Sequence, residues 1–360
     1  MRVDEHIELR WENMLAGIRQ QAEWLRHGPR DLWAEVAKLD APPPSRVYLA
    51  GCGDSHYAGL AARHAFERWS GVPTQALPSL ELSRYELDHA PAGAWVVCVS
   101  NSGKVTRTVE AAARAGDRGL YAVGVTYDRA SRLAQASDAT LAYRYDDPGF
   151  GPGTISYVAS LTALYVLAIR LGGEDAEARL AHLEAQADAV AQTIELADPV
   201  AERLGRDAPP DVKIDVVGGG PSYGTALFGR AKLIEAAHGA GGAHELEEWA
   251  HEEFFCTGPG TLTVVVAPPG ASADRAVEQL EAAREMGATA VAVCPPGTKA
   301  AAAADVVLPV AGDSPEDLSP FAYCVPLELL AYHFASSRGL TMLGFDDEHR
   351  RQVNFRQIFG

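Results

Sequence analysis

Short runs of consecutive apolar residues alternate along the chain with longer segments in which apolar residues recur at helical spacing. The strand-like runs cover residues 47–50, 94–100, 120–126 and 214–217, and a weaker one covers 139–143. Helical spacing is found at 4–40, from the end of the first run to 69, from 104 to 115, and at 155–171 and 225–238. Continuously apolar strands separated by helices are typical of parallel sheets covered on both faces. The pattern predicts an α/β fold with doubly wound sheets.

The two halves of the chain repeat each other at a constant offset of 167 residues. The matching pairs are Gly51 and Gly218, Ser55 and Ser222, Gly103 and Gly270, Asp138 and Asp305, Tyr165 and Tyr332, and Gly172 and Gly339. Because one offset holds without a gap, we infer a tandem duplication of one α/β unit. We expect an N-terminal helical segment (1–44), a first domain (45–173), an amphipathic helical connector (174–210), a second domain (211–338) and a C-terminal tail (339–360).

The two copies differ in the loop that follows their second predicted strand. The first copy has Ser-Asn-Ser-Gly at 100–103, and the second has Ala-Pro-Pro-Gly at 267–270. Serine hydroxyls and free backbone amides at a helix start bind anions, whereas proline has no amide hydrogen and alanine has no hydroxyl. We predict that the first copy binds an anionic ligand and that the second supplies the chemistry. Its helix carries Lys232 and Glu235, three residues apart and therefore on one face.

Composition narrows the classes of partner. The chain has 360 residues and a formal charge of −17, which argues against nucleic acid and anionic membranes as partners. The N-terminal sequence has no targeting pattern, and no run reaches the ~20 apolar residues of a membrane span. The five cysteines are scattered without a CxxC pair, which favours buried thiols in a reducing compartment. We predict a cytoplasmic protein.

The motifs GCGDS (51–55) and SNSG (100–103), followed by a degenerate second copy, resemble the tandem sugar isomerase (SIS) domain family. The pattern is similar to the isomerase half of glucosamine-6-phosphate synthase and to the fructosamine-6-phosphate deglycases, and it covers about 45–340. The resemblance implies two SIS domains, each a flavodoxin-like or Rossmann-like three-layer sandwich. It also implies acid–base proton transfer through an enediol or enolamine of a sugar phosphate or aminosugar phosphate, without a cofactor.

The resemblance implies three catalytic residues in the second copy. Glu235 corresponds to the base that enolises the sugar, His251 to the histidine that opens its ring, and Lys232 to a lysine near the sugar. Such histidines reach into the neighbouring subunit's site, which implies a homodimer with shared active sites. The chain departs from the synthase pattern after the histidine, where Glu252 and Glu253 replace a Gly-Pro pair.

The resemblance places the phosphate in the first copy. The implied binding residues are Cys52, Gly53, Asp54, Ser55, Ser100, Asn101, Ser102, Lys104, Thr106 and Thr108. Two positions depart from the family pattern: Asp54 stands where threonine or glycine is usual, and Val105 stands where threonine is usual. The tail has no lysine where the synthase has a Schiff-base lysine, which favours the deglycase branch. No glutaminase domain is present in the sequence, so glutamine is not expected to supply ammonia.

Several alternatives remain open from the sequence. A non-catalytic sugar-phosphate sensor would need the anion loop but not the pair Glu235 and His251. Isomerisation and deglycation share the proton-abstraction step, so the sequence does not separate them. His244 and His251 flank several carboxylates, but their spacing of seven is not the HExxH pattern, and we expect no metal. Cys52 has no clear histidine partner and is expected to pack against its loop rather than act as a nucleophile.

Overall fold

Two five-stranded parallel sheets form the frame of this computed structural model, which describes residues 9–173 and 175–360. The first sheet consists of β1 (Val47–Gly51), β2 (Thr74–Pro78), β3 (Trp95–Val99), β4 (Tyr121–Thr126) and β5 (Ala139–Ala142). The second consists of β6 (Lys213–Gly218), β7 (Ala243–Glu245), β8 (Thr261–Val266), β9 (Thr289–Cys294) and β10 (Val306–Pro309). The strand orders are β2-β1-β3-β4-β5 and β7-β6-β8-β9-β10, the flavodoxin type of doubly wound sheet. The predicted fold class is confirmed.

Helices cover both sheets and connect them. Those of the first half are α1 (Trp11–Val36), α2 (Asp54–Ser70), α3 (Ser79–Glu81), α4 (Thr106–Asp117), α5 (Arg132–Gln135) and α6 (Ile155–Gly172). The long helix α7 (Ala176–Asp207) leads to the second half, which contains α8 (Pro221–Ala237), α9 (Glu248–His251), α10 (Ala273–Glu285), α11 (Lys299–Ala303), α12 (Ser319–Ser336) and α13 (Glu348–Phe359). Positions 4–8 of the first predicted helix lie outside the described residues.

The duplication inferred from the offset of 167 is present in three dimensions. Adding 167 to the bounds of α2 gives those of α8, and adding it to the bounds of β5 gives those of β10. Gly53 and Gly220 precede the paired helices with nearly identical backbone angles, φ 55° and ψ −129° against φ 54° and ψ −129°. This positive φ favours glycine, which accounts for glycine at both equivalent positions.

The two halves meet where α2 packs against α8. Gly224 lies at this contact, and a side-chain Cβ there would be 2.6 Å from the backbone nitrogen of Ala61 and 2.7 Å from the carbonyl oxygen of Tyr57. Such distances are too short for any real carbon, so the close approach of the helices requires glycine. The contact brings the first turn of α2 beside the last turns of α8, and the candidate site is built there.

Helix α6 is almost entirely apolar and forms part of the core beside α1 and α2. It is long and apolar enough to cross a membrane by length and composition, and 78% of that stretch is buried inside the protein. Burial against other helices is the ordinary environment of such a helix in a sheet-and-helix core.

The structure corrects several local predictions. Strands β2 and β7 were not expected from the sequence, because each is a short edge strand with incomplete burial. Helix α8 begins at Pro221 rather than Thr225, since proline is well suited to the first helical turn. Cys98, Cys294 and Cys324 are buried as predicted, but the prediction of buried thiols is wrong for Cys52 and Cys256, which are exposed.

Candidate active site

The candidate site lies at the carboxyl ends of β1 and β3, where the strand order of the first sheet changes direction. Doubly wound sheets bind ligands at this position because the loops after the two strands diverge and leave a crevice. The loop after β1 contains residues 52–53, and the loop after β3 contains residues 100–105. Both predicted binding motifs therefore border the same crevice.

A buried lysine joins the two copies of the repeat at this crevice. Lys232 of α8 donates hydrogen bonds to Asp54 Oδ2 of α2 at 2.7 Å and to Glu235 Oε2 at 2.5 Å. The Lys232 side chain is 0% exposed, whereas that of Glu235 keeps 31% exposure. Asp54, which departs from the family pattern, thus has a buried amine as its partner. The helix spacing predicted the pair Lys232 and Glu235, and the structure adds Asp54 from the other copy.

The surroundings place the pKa of Glu235 in the neutral range. Burial raises the pKa of Glu235 to about 7, with a further rise from the charge of Asp54 and an opposing effect from Lys232. Burial alone would lower the pKa of Lys232, but the two carboxylates outweigh it and hold that pKa above its usual value. At neutral pH the lysine is charged, and the raised pKa of Glu235 suits this residue to act as a general base.

A cavity of about 980 Å³ opens beside the anion loop. Asn101, Ser102 and Lys104 line one side, and the segment 147–156 lines another. Gly153 connects the cavity to the lysine cluster, because a Cβ at this position would lie 2.9 Å from Asp54 Oδ2 and 4.0 Å from Lys232 Nζ. The anion loop and the carboxylate cluster therefore border adjoining space.

Several polar atoms of the loops are buried without a partner. Ser100 Oγ, Thr106 Oγ1 and Asp54 Oδ1 have no hydrogen-bond partner in the described structure. Buried polar groups are nearly always hydrogen-bonded, so such atoms point to a ligand or water. Asn101, by contrast, is fixed, since its Oδ1 accepts hydrogen bonds from the hydroxyls of two tyrosines at 3.1 Å each.

Three basic side chains that line the cavity have no carboxylate within ion-pair distance in the described ranges. They are Lys104, Arg132 and Arg144. Arg144 instead lies over the ring of Tyr127 at 4.6 Å, and Arg132 Nη1 is 3.5 Å from the carbonyl oxygen of Phe359. The two arginines were not predicted, because they lie in separate segments with no motif that relates them to the loops.

Other predicted binding residues lie around the same loops, but not all of them face the crevice. Thr108 is 0% exposed, and its hydroxyl lies 3.0 Å from Ser79 Oγ and 3.7 Å from Cys52 Sγ. We correct its expected role, because a buried and occupied hydroxyl supports the loop from beneath and is not accessible to a ligand. Cys52 and Gly53 are exposed in the loop itself, and Ser55 is half-buried in the first turn of α2.

His251 is not brought to Glu235 within one chain. It ends α9 with 68% of its side chain exposed, and its Nε2 lies 3.3 Å from Glu247 Oε1. Among the described residues, none of its hydrogen bonds or ion pairs involves the lysine cluster. Phe255 follows in a 3₁₀ turn and is 78% exposed, which is unusual for a large apolar side chain.

In the second copy, the carboxylate of Glu316 lies against the loop that is equivalent to the anion loop. Ala271 donates its backbone N–H to Glu316 Oε2 at 3.0 Å, and a Cβ at Gly270 would lie 2.2 Å from the carboxyl carbon of Glu316. An internal carboxylate thus takes the place of an external anion. This arrangement supports the prediction that only the first copy binds the anionic ligand.

Comparison with known proteins identifies a matching domain family and relatives of similar sequence. Residues 43–170 match the SIS domain family model. The chain is 28% identical over 314 residues to a glutamine–fructose-6-phosphate aminotransferase [isomerizing] of Methanothermobacter thermautotrophicus, covering 86% of this chain and 52% of the relative. The chain therefore spans about half the length of the curated relatives it matches.

Solved structures share the fold over nearly the whole chain. The C-terminal domain of glucosamine-fructose-6-phosphate aminotransferase from Francisella tularensis has a TM-score of 0.80 at 19% identity, with 92% of this chain and 97% of that chain covered. The tagatose-6-phosphate ketose/aldose isomerase from Escherichia coli has a TM-score of 0.75 at 18% identity, with 92% and 94% covered. The family match covers residues 43–170, and the second half of the chain repeats the fold of that SIS domain.

Proposed function

We propose that this chain is a phosphosugar-processing enzyme that moves a proton between neighbouring carbons of a sugar phosphate or aminosugar phosphate. The observation that carries the proposal is the buried cluster in which Lys232 holds Glu235 beside Asp54, next to a cavity bordered by the anion loop. A sensor needs no carboxylate with a pKa near 7 at its ligand site, so the cluster favours an enzyme. The glutamine–fructose-6-phosphate aminotransferase [isomerizing] among the relatives and the tagatose-6-phosphate ketose/aldose isomerase among the structural neighbours support the same class.

In this proposal the ligand's phosphate binds the loop at 100–105 through Ser100, Ser102 and backbone amides. The partner-free hydroxyl of Ser100 supports this role, as does the charge of Lys104 at the cavity wall. Glu235 takes a proton from the carbon next to the carbonyl or iminium group, and an enediol or enolamine forms. Lys232 stays charged and stabilises the negative charge that develops beside it. Glu235 then returns the proton to the neighbouring carbon.

We further propose that His251 acts on a sugar bound by a second copy of the chain in a homodimer. Its exposure and its separation from the lysine cluster support this arrangement. Phe255 lies four residues further along and presents an apolar surface of the kind that interfaces bury. The histidine opens the sugar ring before Glu235 removes the proton.

Two reactions are compatible with this chemistry, an aldose–ketose isomerisation and a deglycation that releases an amine. The three unpaired cations and the volume of about 980 Å³ favour a substrate larger than a simple hexose phosphate, and hence the deglycase reaction. The test is a panel of 6-phosphorylated ketoses, aldoses and fructosamines in deuterated water. Released amine indicates deglycation, and deuterium in the product without released amine indicates isomerisation.

The decisive variant is Glu235→Gln, with Glu281→Gln on an exposed position of α10 as its matched control. We expect the first to abolish turnover and leave ligand binding largely intact, and the second to change neither. General acid–base catalysis contributes roughly 10²–10⁴-fold, which sets the expected loss. Full turnover by Glu235→Gln would remove this residue from the mechanism. Ligand binding without turnover by the unmodified chain would favour the sensor.

A further inference from the structure

A second polar cluster lies on the second sheet, beneath the segment that carries His251. It contains Asp215 of β6, His244 of β7 and Glu253 of the 3₁₀ turn after α9. His244 Nε2 lies 3.5 Å from Glu253 Oε2 and 3.9 Å from Asp215 Oδ1, and one ligand atom from each residue lies within 4.8 Å of the others. We propose that these three side chains form a binding site for a divalent transition metal ion, with Zn²⁺ as its natural occupant.

The two carboxylates are arranged so that one oxygen of each is not paired with Lys213. Lys213 forms ion pairs with Asp215 Oδ2, at 3.0 Å, and with Glu253 Oε1. The other oxygens, Asp215 Oδ1 and Glu253 Oε2, face the imidazole of His244. Two carboxylates and one lysine leave a net charge of −1 around the imidazole. This excess of negative charge attracts a cation, so electrostatics favours the binding of a divalent metal ion to the cluster.

The imidazole nitrogen that faces the carboxylates has no hydrogen-bond partner. His244 Nε2 is a buried atom without such a partner in the part of the chain that the structure describes. Its distances to the two oxygens are too long for good hydrogen bonds but suit ligands that share one ion. Gly242 keeps the space beside it open, because a Cβ there would lie 2.2 Å from Nε2.

The surroundings already orient the ligands. Asp215 is 0% exposed, and the backbone N–H of Gly242 donates to its Oδ1 at 2.9 Å. Hydrogen bonds of this kind fix ligating carboxylates in metal sites. One imidazole and two carboxylates are a ligand set that Zn²⁺ accepts, with metal–ligand distances of about 2.0–2.2 Å and a water as the fourth ligand.

A bound ion would join three separate parts of the second domain. It would hold the turn at 253–256 and strand β7 against β6, and His251 lies two residues before this turn. The site therefore fixes the base of the segment that presents His251. The existence of the site does not depend on the proposed function, since His251 is not one of its ligands.

The test uses the full chain, stripped of metal and titrated with Zn²⁺ alone in a calorimeter. We expect one ion per chain, a higher melting temperature with zinc, and a visible d–d absorption band when Co²⁺ replaces it. His244→Ala should lose at least tenfold in affinity and the cobalt band. The exposed His182→Ala on α7 should keep both.

Glu253→Gln, at a residue with 24% of its side chain exposed, provides a second variant that does not create a cavity in the core. It should also weaken zinc binding while the circular dichroism spectrum stays unchanged. No zinc binding by the unmodified chain, or equal binding by His244→Ala and His182→Ala, would show that the cluster is an ion-pair network only. Either result overturns the proposal, whatever the sugar phosphate assays show.

Discussion

The contribution of Glu235 to the stability of the protein should fall as pH rises through the range in which this residue ionises. The folded state raises the pKa of Glu235 from 4.5 to about 7, so between these values the folded chain keeps a proton that the unfolded chain has lost. A group of this kind destabilises the folded state increasingly from about pH 4.5 to about pH 7 and by a constant amount above. Glu235→Gln cannot ionise and removes the effect.

The magnitude follows from the same two values. A pKa difference between 4.5 and about 7, at about 1.4 kcal/mol for each tenfold change, corresponds to about 3 kcal/mol. Because 31% of the side chain is exposed and solvent screens the charge, we expect about 2 kcal/mol. The glutamine carbonyl oxygen still accepts the hydrogen bond from Lys232, so this contact is not the source of the difference.

The assay is urea unfolding followed by tryptophan fluorescence at pH 4.5 and pH 8. Glu235→Gln should match the unmodified chain at pH 4.5 and exceed its free energy of unfolding by about 2 kcal/mol at pH 8. Glu281→Gln should follow the unmodified chain at both values. A Glu235→Gln variant that is less stable at pH 8 would refute the conclusion that burial dominates this site. Under the proposed function, turnover should rise with pH through the same range.

Three further predictions concern packing and assembly. Gly224→Ala pushes a Cβ against the backbone of Ala61, so urea unfolding should show a loss of about 1–3 kcal/mol. Gly153→Ala places a Cβ 2.9 Å from Asp54 Oδ2 and should reduce turnover several-fold in steady-state assays with little change in melting temperature. Phe255→Ser removes the exposed apolar side chain and should shift a dimer toward monomer in sedimentation velocity experiments, whereas an unchanged dimer would exclude this residue from the interface.

The sequence predicted most of the fold because the apolar strands are continuous and the repeat has a constant offset. Once the first sheet was recognised, the offset of 167 located the equivalent elements of the second. The edge strands β2 and β7 could not be predicted in this way. Their residues are only partly buried, so they lack the apolar run that identified the central strands.

The site was predicted in part, and the missing parts depend on contacts between distant segments. Helical spacing placed Lys232 and Glu235 on one face, but no local pattern relates Asp54 to a lysine 178 residues away. The two arginines of the cavity were missed for the same reason. Thr108 was assigned to the ligand because the family pattern has a threonine near position 105, yet its place on α4 points its hydroxyl toward Ser79. The position of Thr108 in the sequence gives no information about the direction in which its hydroxyl points.

The position of Lys232 explains why the two copies act as one unit. The ammonium group of Lys232 at 0% exposure would be unfavourable without a carboxylate partner, and Asp54 provides one from the other copy. Asp54 belongs to the first copy and Glu235 to the second, and the close approach at Gly224 holds their helices together. Neither half alone can hold this cluster. The cluster therefore depends on the packing of one copy against the other, and a single copy would lack it.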